Sequence, residues 1–176
     1  MKKTFKIAIT GPESTGKSEL ANLLAKHYET IYTPEYAREY LQEKGEDSYE
    51  KTDLKIIAEE QIRRQNIDVK KAQKHYIADT EMLVFKIWHE VKYAESPNWI
   101  KEMIAKQDFD LYLLCNIDIP WENDPLREHP HKRKFLFDKY KATFQEFNLS
   151  YQIISGNGKL RLQNAINIID EFYLSK

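Results

Sequence analysis

Gly11-Pro12-Glu13-Ser14-Thr15-Gly16-Lys17-Ser18 has the spacing G-x-x-x-x-G-K-[ST], which wraps backbone N–H groups around a chain of phosphates. Its glycines let the backbone curl where a side chain would block it, and the following helix offers its positive end to the same charge. Lys17 is the residue expected to reach the β- and γ-phosphates, and the Ser18 hydroxyl is the expected Mg²⁺ ligand. Triphosphate binding, with ATP and magnesium as the expected ligands, is therefore the first chemistry in the chain. The flanks agree with it: Phe5–Thr10 reads as a buried strand, and Leu20, Leu23 and Leu24 recur at helical spacing behind the loop.

Other candidates follow apolar runs. Asp79-Thr80 closes a third predicted strand, from which a carboxylate can face the phosphate loop and hold magnesium through oxygen or water; either residue would serve equally as a cap for the helix starting near Glu81. Glu35-Tyr36-Ala37-Arg38-Glu39-Tyr40 follows the second strand. Glu35 and Arg38 share a helical face, where they could take the proton of an attacking hydroxyl and hold a substrate oxygen, or form a solvated intrahelical ion pair. Either Glu35 or Asp79 could be the base.

Residues 120–134 form a polar, Pro-rich segment with Trp121, Arg127, His129, His131, Lys132, Arg133 and Lys134. Closing as a lid, it could bring Arg127 or Arg133 onto a transferring phosphoryl group and exclude water; the plainer reading is a solvated basic surface. His129 and His131 have no Cys or further His at ligand spacing, so zinc is not expected. Trp88 and Tyr93 read as core residues, with stacking on a planar substrate as the alternative. Gly156-Asn157-Gly158 either lies against adenine or is simply a strand-to-helix turn.

The elements that must position these groups alternate along the chain. Strands are expected at 30–33, 75–79, 110–116 and 151–154. Helices are expected at 35–41, from a cap at Thr52-Asp53 through Val69, at 81–93, 98–106 and 134–147, and after Gly158. Val84, Ile87, Trp88 and Val91 form one inward stripe, and Phe137, Tyr140, Phe144 and Phe147 another. Such alternation implies a three-layer α/β/α fold around a mainly parallel five-stranded sheet, with ligands at the carboxyl ends of its strands.

At 176 residues and 41% apolar content, the chain fits one domain with a sizeable core, taken as 1–176. A net charge of -1 gives no general attraction to polyanions, so nucleic acid is not an expected partner, whereas a small-molecule substrate is. The single Cys115 sits in an apolar run and reads as a buried small hydrophobe. No leader-like run follows Met1-Lys2-Lys3 and no run reaches membrane-spanning length, so a cytoplasmic location away from membranes is expected. A homo-oligomer is left open.

With these residues laid out, the chain resembles the ribosylnicotinamide kinase domain of bacterial NadR-type proteins of NAD biosynthesis. The carriers are GPESTGKS at Gly11 to Ser18, EYARE at Glu35 to Glu39, Asp79-Thr80, and the region from Pro120-Trp121 to Arg127 and Arg133. The resemblance implies a P-loop NTPase fold of the nucleoside/nucleotide kinase kind and Mg-ATP-dependent phosphorylation of the 5′-hydroxyl of nicotinamide riboside. It implies nucleotide contacts at Gly11, Glu13, Ser14, Thr15, Gly16, Lys17, Ser18, Leu20, Arg127, Arg133 and Gly156. Substrate contacts fall on Glu35, Tyr36, Arg38, Asp79 and Trp121, magnesium ligands on Ser18 and Asp79, and catalytic roles on Lys17, Glu35, Asp79 and Arg127. Pro34 stands where the family often carries Trp, and Pro125 where it usually has Gly. The alternatives are another nucleoside or nucleoside-monophosphate kinase, or a regulatory ATPase acting on a protein partner. Asn116-Ile117-Asp118 only loosely imitates a guanine-reading motif, which disfavours a GTPase switch.

Overall fold

β-Branched and aromatic runs bounded by polar turns form five parallel strands: β1 (Phe5–Thr10), β2 (Tyr32–Thr33), β3 (His75–Asp79), β4 (Leu111–Cys115) and β5 (Tyr151–Ile154). The computed structural model describes residues 4–45 and 49–175; the opening Met1-Lys2-Lys3 lies outside them. The spatial order is β2-β3-β1-β4-β5, with the helices α1 (Lys17–His27), α2 (Tyr36–Lys44), α3 (Lys51–Asp68), α4 (Met82–Tyr93), α5 (Asn98–Lys106), α6 (Arg133–Glu146) and α7 (Gly158–Leu174) in the connections.

Side chains alternate across the sheet, so each strand feeds two cores. Ile7, Ile9, Leu111 and Leu113 face α1 and α7 and pack with Leu20, Leu24, Ala165 and Ile169. Ala8, Tyr112 and Leu114 face the opposite layer and pack with Leu54, Ile57, Phe85, Ile100 and Phe144. Every residue of β3 and β4 is buried, as a parallel sheet covered on both faces requires. Among the described residues, no helix is long and apolar enough to cross a membrane.

Several boundaries differ from the sequence reading, α2 running on to Lys44 among them. Only Tyr32 and Thr33 pair in the second strand; the Thr30 N–H is spent on the Ala25 carbonyl at the end of α1, so the ladder starts later than expected, and it still ends before Pro34. Val69 lies in a 3₁₀ turn, Val69–Lys71, beyond the end of α3. That helix starts at a Glu50 cap, with Asp53 closing a capping box from its third position by accepting the Glu50 N–H at 2.6 Å.

Asp53 also fastens α2, the carrier of the Glu35 turn. Its buried carboxylate accepts from the Tyr40 hydroxyl at 2.5 Å and from Lys44 at 2.6 Å. Burial works against its charge, but the Glu50 N–H, Lys44 and Tyr40 outweigh it and bring the carboxyl down to about 2. The resulting stability is fully present above the ordinary carboxyl range and is lost as pH falls toward the lowered value. Asp53→Ala should therefore cost about 2 kcal/mol in urea unfolding at pH 7 and much less at pH 2.5. An equal loss at both pH values would assign the effect to packing.

Candidate active site

Two glycines make the loop between β1 and α1 possible. Gly11 has φ +141°, and a Cβ there would lie 3.0 Å from the Cys115 carbonyl oxygen of β4, so the loop can leave the sheet only without a side chain. Gly16, with φ 71°, precedes α1 and offers no side-chain cap, leaving the helix's first N–H groups open toward the cleft. The Lys17 ammonium and the Thr15 hydroxyl both donate to the Pro12 carbonyl at 2.8 Å. Leu20 lies elsewhere: its side chain is buried in the core beneath α1 and its N–H is spent on the Gly16 carbonyl.

The register pairs Ile9 with Asp79, so the end of β3 lies beside the start of the loop. Asp79 is 1% exposed, and its Oδ1 has no hydrogen-bond partner. Burial and the neighbouring Glu35 raise its carboxyl to about 6, while the Ser18 hydroxyl, Lys17 and the Glu35 N–H pull it back down. Thr80 is held at φ 79°, its N–H on the Ile9 carbonyl and its own carbonyl on the Gln65 amide, and its hydroxyl reaches Glu35 at 3.3 Å. Neither Asp79 nor Thr80 caps α4. That task falls to Glu81, whose buried carboxylate accepts the Leu83 N–H at 2.7 Å. Asp79 is thus spared for another partner, and an orphaned carboxylate oxygen beside a serine hydroxyl fits a hard divalent cation.

The segment after β4 folds back over the loop. Glu13 accepts the N–H groups of Glu128 and His129 at 3.2 and 3.0 Å, and the Ser14 hydroxyl oxygen accepts from the Glu122 N–H and the Arg127 guanidinium at 2.8 and 3.3 Å. Arg133 donates to the carbonyls of Ser14 and Ile119 at 3.1 and 2.8 Å. Both guanidiniums lie about 6 Å from the centre of the Trp121 ring, whose own N–H donates to Asn123. Arg38 forms no pair with Glu35; it reaches across to Asp124 of this segment at 2.9 Å.

A cleft of about 340 Å³ continues from the loop toward α2, α4 and α6. Its far wall is Ala37, Leu41, Val84, Ile87, Trp88, Val91, Leu126, Leu136 and Tyr140, with Glu35, Arg38, Glu122 and Glu128 at its rim. Trp88 and its stripe neighbours therefore pack against the core, as expected, and also border this space. The Trp88 N–H donates to Tyr49 at 2.8 Å, and Tyr49 donates in turn to Glu128 at 2.7 Å. Tyr36 and Trp121 are not part of the cleft lining: Tyr36 lies under the Arg64 guanidinium, 4.2 Å from its ring centre, with its N–H on Gln61. Gly156 also lies off the lining, donating to Asp118 at 2.7 Å.

Two features escaped the sequence reading. Cavity-facing Val84, Ile87 and Val91 have the same spacing as core residues, so periodicity cannot separate them. Arg161, 4% exposed, donates to the carbonyls of Thr15, Asn116 and Gly156 and to the Asp118 carboxylate; an arginine between Leu160 and Leu162 in an apolar helix was its only signal.

The family described as AAA domain matches residues 6–161. The chain belongs to this AAA-domain family. It is 31% identical over 124 residues to the trifunctional NAD biosynthesis/regulator protein NadR of Escherichia coli (strain K12), covering 69% of the chain and 30% of that protein. The matched stretch thus covers less than a third of the length of this relative. NadR solved with NAD and AMP-PNP superposes with a TM-score of 0.83 at 22% identity over 97% of the chain and 50% of that chain. NadR solved with NR gives 0.84 at 21% over 99% and 53%. Deoxyadenosine kinase from M. mycoides gives 0.65 at 15% over 95% and 100%. Within the AAA-domain family the fold is thus that of a P-loop NTPase with nucleoside- and nucleotide-kinase architecture.

In this AAA-domain chain the buried Asp79 carboxylate opposes folding. Because its folded value is raised, the cost builds from pH 4 toward about 6 and stays constant above. Asp79→Asn should raise stability by about 1–3 kcal/mol at pH 8 in metal-free buffer. A urea midpoint that falls instead would mean the carboxylate braces the loop.

Proposed function

We propose that the chain is an ATP- and magnesium-dependent small-molecule kinase that phosphorylates the 5′-hydroxyl of nicotinamide riboside, giving nicotinamide mononucleotide and ADP. The observation that carries this reading is one cleft in which the glycine loop and an apolar, tryptophan-walled compartment meet, with Glu35 in its lining. The resemblance to NadR and the NR-bound relative of the same fold support it.

The lining separates acceptor classes by charge. Lys17 and Arg127 lie on the loop side, and the acceptor-side guanidinium, Arg38, is engaged by Asp124. Glu122 and Glu128 are likewise engaged, by Arg127 at 4.0 Å and Lys92 at 3.3 Å, which leaves Glu35 as the acceptor-side lining carboxylate with no ion pair among the described residues. A cationic pyridinium nucleoside suits a compartment whose unpaired charge is the Glu35 carboxylate, whereas a nucleoside monophosphate would bring a dianion to an acceptor side whose guanidinium is already engaged. Trp88 offers a face on which a planar ring can stack.

Mg-ATP, when bound, supplies the phosphoryl group and a cation that neutralises its oxygens. Ser18 and Asp79 are the residues that would hold the cation, and the open N–H groups from Gly16 onward would hold the phosphates. Lys17 turns from the Pro12 carbonyl toward the terminal phosphates. Glu35 lines the cleft while Asp79 is buried behind it, so Glu35 takes the acceptor's hydroxyl proton as the new O–P bond forms. Arg127, which lines the cleft, stabilises charge on the transferring group, Arg133 holds the loop through the Ser14 carbonyl, and the segment carrying them excludes water.

ADP release should be measured with Mg-ATP and a panel of nucleosides and their monophosphates. Nicotinamide riboside should be the best acceptor, and Lys17→Ala should lower kcat at least about a hundredfold with an unchanged circular dichroism spectrum. Trp88→Ala should raise the acceptor KM about tenfold or more and leave the ATP KM within twofold. Faster turnover of monophosphates, or phosphate release that ignores every acceptor, would overturn the assignment.

A further inference from the structure

The geometry points to Arg161 as a positioning residue of the nucleotide site, one buried guanidinium that aims the phosphate loop and ties it to the chain segments leaving β4 and β5. This inference rests on the cleft being a nucleotide site. Nothing in the kinase reading above uses Arg161.

Its donors reach three separate segments. Nε donates to the Gly156 carbonyl at 2.8 Å, Nη1 to the Thr15 carbonyl, and Nη2 to the Asn116 carbonyl at 3.2 Å and to Asp118. Asp118 accepts the Gly156 N–H on its other oxygen at 2.7 Å, closing a ring between the two strand-end turns. Asn116 reinforces the same junction by donating to the Ser155 hydroxyl at 3.0 Å.

The bond to Thr15 is the consequential one. In a trans peptide the C=O and the following N–H point in opposite directions. A donor that fixes the Thr15 carbonyl at the back of the loop therefore fixes the Gly16 N–H forward, and Gly16 lines the cleft. A loop whose amides converge on an anion must turn carbonyls away from it, and a buried carbonyl so turned needs a partner.

Packing alone does not call for arginine here. Its helix buries Ala165, Ile166 and Ile169 on the same side, and an apolar residue in place of a buried charged pair is often as stable or more so. What an apolar residue cannot supply is a planar fork of donors that bonds three carbonyls and a carboxylate together. Because Asp118 balances the charge, the contribution is orientation more than attraction. Lysine, a single point donor, should replace it only in part.

The test is calorimetric titration of the full chain with Mg-ATP and with magnesium tripolyphosphate, for wild type, Arg161→Met, Arg161→Lys and Asp118→Asn. Acceptor KM from ADP release and thermal unfolding are measured alongside. Arg161→Met should weaken both ligands about tenfold or more, and Arg161→Lys and Asp118→Asn about three- to tenfold, with the acceptor KM within twofold of wild type. If Arg161→Met fails to fold, the two milder variants decide. Wild-type affinity for tripolyphosphate in any folded Arg161 variant overturns the inference, as does an acceptor KM that moves in step with the ATP affinity. Wild-type protein that binds neither ligand overturns the kinase reading itself, and this inference with it.

Discussion

The parallel register around β1 is the constraint from which the site follows. Pairing Ile9 with Asp79 on one side and Thr10 with Leu114 on the other ends three strands at one level. The glycine loop, the Asp79 carboxylate and the Asn116–Asp118 turn then emerge side by side, although roughly forty to seventy residues separate them along the chain. Gly11 shows how tight the convergence is: a Cβ there would crowd the β4 carbonyl at 3.0 Å, on a backbone already at φ +141°.

Around that point the protein trades stability for function. Asp79, Glu81 and Arg161 are all buried in or beside the sheet, where apolar side chains would pack at lower desolvation cost. Glu81 is compensated by the start of α4 and still keeps an unpartnered oxygen; burial raises its carboxyl to about 7. The two apolar cores on either face of the sheet supply the surplus that tolerates these groups.

The segment from Pro120 to Arg133 is fastened to the rest mainly through polar contacts. Glu13 and Ser14 hold it from the loop, Arg38 from α2, and Tyr49 with Lys92 from beside α4. Polar fastenings of this kind exchange readily for water or ligand, unlike buried apolar contacts. Trp88 joins this segment to the apolar wall of the cleft through Tyr49, so wall and segment share one hydrogen-bonded chain.

Local chemistry made the glycine loop, the alternating strands and helices, and the strand-end Asp79 legible, because phosphate cradles and buried strands have fixed spacings. The same periodicity concealed which apolar residues face a cavity: Val84 and Trp88 obey the rule that also places Phe144 in the core. It likewise read Glu35 and Arg38 as neighbours on one helical face, whereas Arg38 pairs with Asp124, eighty-six positions away in sequence numbering. Arg161 gave little signal in sequence because three of its four partners are backbone carbonyls, which carry no residue type, and the fourth, Asp118, lies forty-three positions away. The sequence by itself determined the phosphate loop, the α/β/α layering and the side chains available for chemistry. Only the tertiary structure decided which carboxylate stays unpartnered, which wall is hollow and which guanidinium stands behind the loop, since each depends on distances between segments that no local spacing encodes.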